Sequence, residues 1–254
     1  TSLLNTYNQN AHLFKVIART HPERLTDAVA SLQTNGSFIT EKSVGGKTLN
    51  PTVLYFFALI AYACMSGAYL SIEAVRDTQA NLSPLGARRS ITPYRKQFLI
   101  FIDMLVLIFI HFINVMILTF YVNYILDIDL GNNYLAILAT NFMGSLIGIC
   151  LGLMIGCIGK LTFSAKIGIC TSTTLLTGFL SGLMFGNMKD VIEQNAPILN
   201  RINPAAVLSD AYYCISVYND TLRYQRCMIT LLIMSILFLG IAFLGVRRER
   251  YDSI

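Results

Sequence analysis

Few residue sets in this chain have the types and spacing that catalysis needs. Gly45-Gly46-Lys47-Thr48 has the ending of a phosphate-binding loop. The full pattern needs a glycine where Glu41 stands, a strand leading in and a soluble helix after it. Asn50-Pro51 and a long apolar run follow instead, so the stretch reads as a flexible loop. Asp103, His111 and Asn114 are a second set; at 100° per residue they fall within about 80° of one another on a helix. An ionisable residue inside an apolar run is a functional candidate by default. These three could line a water-filled conduit, or they could serve hydrogen bonding between helices. Asp103 lies about one turn into its run, near enough to reach interfacial water or to pair with Arg95 or Lys96. There is no His-Glu-x-x-His, no Cys-x-x-Cys and no pair of carboxylates within the apolar runs, so the sequence offers no metal site and no catalytic residue.

The elements that must hold these residues follow from composition. Of 254 residues, 54% are hydrophobic and 13% charged, with a mean hydropathy of +0.57. Soluble domains carry about 25% charged residues. The deficit excludes an ordinary water-soluble enzyme and a disordered chain, and it predicts an all-α integral membrane protein. Runs long enough to cross about 30 Å of hydrocarbon lie near 51–72, 98–125, 134–158, 167–187 and 227–246. The fourth is the most polar, with Thr171, Ser172, Thr173, Thr174, Thr177 and Ser181 among its apolar residues. In the third, Gly144, Gly148, Gly152 and Gly156 recur every four residues, and Gly178 and Gly182 (then Gly186) repeat the pattern in the fourth. Such faces let helix backbones approach closely where no hydrophobic effect drives association. They suit static packing and also a sliding contact.

Lys and Arg placement sets the orientation. Arg76, Arg88, Arg89, Arg95, Lys96, Lys160, Lys166, Arg247, Arg248 and Arg250 share one side with four acids, for +6. The other side, comprising 1–50, 126–133 and 188–226, balances nine bases against nine acids. The first side is expected to be cytoplasmic and close to membrane lipid. A net charge of +5 placed this way does not point to nucleic acid. Residues 1–50 are then a mixed extracytoplasmic segment with no apolar run ahead of it, which predicts a further, sixth hydrophobic helix upstream of Thr1.

Two connections carry their own pattern. In 73–96, Glu73, Arg76 and Asp77 continue the first run. Ser83-Pro84 and Thr92-Pro93 mark helix boundaries, with Arg88 and Arg89 between them and Lys96 at the next run. A short charged helix of this kind can lie on anionic lipid or dock into a partner. In 188–226, Asn203 is a plausible cap with Pro204 at the first helical position, and the helix after it is apolar enough to lie in the interface or re-enter the membrane. Of the six cysteines, four (Cys64, Cys150, Cys157, Cys170) lie inside apolar runs; Cys214 and Cys227 could pair on the outer side.

With these residues in view, the chain resembles the membrane (permease) subunit of an ABC-type exporter, in the type 2 ABC transporter permease family. The run Glu73…Ser83-Pro84-Leu85…Lys96 is similar to that family's coupling segment. Arg201-Ile202-Asn203-Pro204-Ala205…Asp210-Ala211 is similar to its signature before the final helix. The resemblance covers about residues 51–250. It implies six spans, an extracytoplasmic helical segment at 188–226 and a cytoplasmic coupling helix. It also implies a second permease subunit, identical or different, and separate ABC ATPase subunits that hold ATP and Mg. The chain itself would bind no cofactor and catalyse nothing alone, and it would reside in a bacterial plasma membrane. Glu73, Arg76, Asp77, Arg88, Arg89 and Lys96 would serve coupling. Outside the resemblance stand a proton-coupled secondary transporter using Asp103 and His111, and a membrane scaffold or sensor. The cargo stays open between peptide, lipid, antibiotic and glycan.

Overall fold

Proline needs no intrahelical donor in a first turn, and Pro51 opens α1, Pro51–Met65. The helix breaks at Ser66, whose Oγ turns back to the Ala63 carbonyl at 2.7 Å, and resumes as α2, Gly67–Arg76. Ser83 caps α3, Pro84–Ser90, by accepting from Gly86 N at 2.9 Å. α4, Lys96–Phe120, runs on into a π-turn at Tyr121–Ile125. Asn133 caps α5, Tyr134–Cys157, and Thr162 caps α6, Phe163–Leu180. α7, Met188–Asn195, α8, Pro197–Ile202, and α9, Pro204–Tyr213, follow, the last ending in a π-turn at Cys214–Tyr218. Asp220 accepts from Leu222 N and Arg223 N at 3.0 and 3.1 Å to start α10, Thr221–Glu249. This computed structural model describes residues 51–79, 83–94, 96–158, 161–186, 188–218 and 220–249. All elements among them are helical. The segment 1–50, its Gly45–Thr48 stretch and the helix expected before Thr1 lie outside the described residues.

Among the described residues, four helical stretches are long and apolar enough to cross a membrane: Thr52–Arg76, Gln97–Ile125, Tyr134–Cys157 and Thr221–Gly245. The run expected at 167–187 falls short of the five spans read from sequence. Its helix stops at Leu180, Ser181 ends it, and Gly182 turns the chain with φ of 96°. Hydroxyl groups and Lys166 dilute what remains.

α5 is the central post, packed by α2, α10, α4 and α1. Its glycines face α1 and α2. A Cβ at Gly148 would collide with the Cys64 carbonyl, and one at Gly152 with the Ala68 backbone. Gly144 and Gly156 meet Cys64 and Val75 on the same line. Ser71 Oγ crosses this contact to the Ile149 carbonyl at 2.9 Å. In α6, Gly178 makes room for Tyr62 of α1.

Candidate functional site

At one end of the bundle, α2, α3 and the starts of α4 and α6 meet. Arg76 pairs with Glu73 at 2.9 Å and with Asp77 at 3.4 Å, and its guanidinium lies 4.9 Å from the centre of the Phe163 ring on α6. These three expected coupling residues therefore engage one another and α6. The start of α3 sits directly on the preceding turn, where a Cβ at Gly86 would overlap the Gln79 backbone. Gln79 Oε1 accepts from Lys166 Nζ of α6 at 3.2 Å. The same ammonium donates to the Gly156 carbonyl in the last turn of α5, the helix end where a cation is favoured. Lys166 is 2% exposed. Sequence counted it among the surface charges; the structure makes it a buried strut joining α6, α5 and the approach to α3.

The other end of α3 is held by a second link. Arg89 Nη1 donates to Asp103 Oδ2 on α4 at 2.8 Å. Asp103 thus takes a partner from α3, because α3 folds back over the start of α4; Arg95 and the side chain of Lys96 lie outside the described residues. Arg88 is exposed, as are Leu85, Ile91 and Tyr94 beside it. Lys96 opens α4.

His111 and Asn114 lie two turns and more beyond Asp103 and face a different environment. His111 Nε2 donates to the Cys64 carbonyl at 3.1 Å, next to the break at Ser66. The ring fills the space that a side chain at Gly67 would need. Both residues line a cavity of about 370 Å³ with Ser66, Tyr69, Leu118 and their neighbours. Tyr69 reaches across to Thr171 and Thr174 of α6, at 3.2 Å each. The cavity unites His111 and Asn114 and leaves Asp103 out.

At the opposite end, Asn203 caps α9 by accepting from Ala205 N at 3.0 Å, and its amide donates to the Thr177 carbonyl of α6 at 2.9 Å. Pro204 starts the helix and is buried with nearly all of α9. Leu208 reaches Gly144, about 15 Å along α5 at 1.5 Å per residue, so α9 is wedged into the bundle rather than laid across its end. Tyr212 stacks on Phe57 at 6.1 Å and its hydroxyl bonds Asn141 of α5. Asn141 also accepts from Thr119 at 3.3 Å and donates to the Met116 sulfur. Asp210 pairs with Lys189 of α7 and, at 3.4 Å, with Arg223 of α10. Sequence reading missed the Tyr212–Asn141 link. A lone Asn in an apolar run was the available signal.

Long apolar helices, glycine contacts between backbones and a short helix wedged among them define a multi-pass membrane protein. The chain belongs to the ABC-2 family transporter proteins, whose family profile it matches over residues 1–244. That match takes in the first fifty residues as well as the part in which the resemblance is visible. No curated protein and no solved structure matches.

Proposed function

We propose that the chain is the permease subunit of an ATP-driven exporter in a bacterial plasma membrane, coupled through α3 to a separate ATPase that carries ATP and Mg. The observation that carries this is the bracing of α3. Gln79 and Lys166 tie its start to α5 and α6, and Arg89 ties its end to α4, while Leu85 and Arg88 face outward. A helix held at both ends and exposed between them can receive a push and pass it to three helices at once. Two such subunits would enclose the pathway, and closure of the ATPases beneath would rock the spans to release cargo outward. On this reading, 73–96 is cytoplasmic while 1–50 and 188–226 are extracytoplasmic, and α6 completes a fifth crossing despite its hydroxyls. Asp103 is engaged by Arg89 and His111 by a backbone carbonyl. They form no relay with each other, which favours an ATP-driven over a proton-driven transporter.

The test is purification of the tagged full chain from its native membrane. An ATP-binding-cassette ATPase should accompany it in stoichiometric amount. A chain that purifies intact and alone, under conditions that preserve membrane complexes, contradicts the reading. A cysteine placed at Ser90 should resist an impermeant thiol reagent added outside the cell, and one placed at Ser37 should react.

A further inference from the structure

Cys214 begins the π-turn after α9, and Cys227 lies in the second turn of α10. Both are buried and both are free thiols. Cys214 shares a cleft with Thr221, Tyr224 and Gln225 at the start of α10, Cys227 lies about one turn beyond Tyr224, and the two thiols interact with each other. The neighbouring Cys227, and burial after it, push the Cys214 pKa above the ordinary thiol value. A route to Cys214 exists. Cys214 lines a cleft of about 300 Å³ whose rim includes Asp220, Thr221 and Gln225, all exposed. The remaining cysteines, Cys64, Cys150, Cys157 and Cys170, sit within the apolar helices α1, α5 and α6.

We propose that Cys214 and Cys227 form a disulfide-closing dithiol that fastens the segment after the wedged helix α9 to the last span. The oxidant is a disulfide, either a small molecule or a thiol–disulfide oxidoreductase. One of the two thiols gives its proton to water in the cleft and, as thiolate, attacks one donor sulfur, so that one donor thiolate leaves and takes up a proton. The other thiol then loses its proton in the same way, displaces the second donor thiolate, which is protonated in turn, and closes the bond. Two protein thiols become one disulfide, and the donor disulfide becomes two thiols. Closure in the cell rests on the reading that this end of the bundle is extracytoplasmic, the side where such donors persist.

The full-length protein in detergent, incubated with oxidised glutathione, then denatured, alkylated and digested, decides the matter. The expected result is a peptide pair joined through Cys214 and Cys227, with both residues lost from the alkylated pool and restored by dithiothreitol. In a Cys227→Ser variant the crosslink should vanish, leaving Cys214 alkylated or glutathionylated. If both cysteines of the wild-type chain remain fully alkylatable after oxidation, the proposal is overturned. The same mapping on acid-quenched whole cells tests the compartment separately. Closure in the purified protein but not in cells keeps the disulfide site and contradicts its extracytoplasmic placement.

Discussion

α5 and α10 are both long enough to span a membrane, yet they use their apolar surface in opposite ways. The most apolar window of α5 is 67% buried inside the protein, whereas that of α10, which is more apolar, is 22% buried. α4 resembles α10 in this respect. In water the most hydrophobic element would be the most buried. Lipid tails are as apolar as leucine, so hydrophobicity decides only that a helix crosses, and close packing and hydrogen bonding decide which helices sit inside. α5 has Gly148 and Gly152 against backbone, and Asn141 and Thr140 bonded to neighbours. α10 has Gly240, beside which a Cβ would meet nothing within 4 Å, and it meets backbone near its end, where Gly245 faces the Cys157 carbonyl of α5.

That contrast can be broken most forcefully at Gly148. Replacing it with leucine drives a side chain into the Cys64 carbonyl of α1, and no rotamer relieves a clash that begins at Cβ. We expect a cost at or above about 3 kcal/mol, the upper end for overpacking, read as loss of the monodisperse peak in detergent and a lowered unfolding midpoint. Next comes Lys166→Met, which keeps the volume but strips a charged donor from the Gly156 carbonyl and from Gln79. About 2 kcal/mol is expected, in the range for hydrogen bonds to charged groups. Tyr212→Phe keeps the stack on Phe57 and removes only the bond to Asn141, so about 1 kcal/mol is expected from SDS unfolding. Gly240→Ala is the control, expected within about 0.5 kcal/mol of the parent. A Gly240 variant as damaging as the Gly148 variant would end the distinction between an inside and an outside helix.

The crossing helices were readable because twenty apolar residues leave little alternative. The ends of these four moved by a few residues, Thr221 for an expected 227 being the largest shift among them, since polar caps such as Asp220 recruit extra turns. α6 was overextended because a count of apolar residues does not register that Ser181 and Gly182 stop the helix. The glycine faces were legible as packing surfaces, but their partner was not; only the fold shows α1 and α2 lying on that line. The caps at Ser83 and Asn203 were legible because the side-chain acceptor and the following proline act locally. What those caps aim at is not local. Arg89 finds Asp103 because α3 folds back over α4, and Lys166 is buried because the ends of α5 and α6 close around it.

The central claim is that α3 receives force from an ATPase on its exposed side and hands it to the spans through its braced side. The most direct measurement is the affinity of the co-purifying ATPase for Arg88→Glu beside Arg89→Gln, in membranes where both variants insert and remain monodisperse. Arg88 is exposed and should touch the ATPase, so reversing its charge should weaken binding more than tenfold, equivalent to about 1.4 kcal/mol. Arg89 faces Asp103, and its neutral variant should bind the ATPase as the parent does. Wild-type binding by Arg88→Glu, or loss of binding confined to Arg89→Gln, would contradict the account.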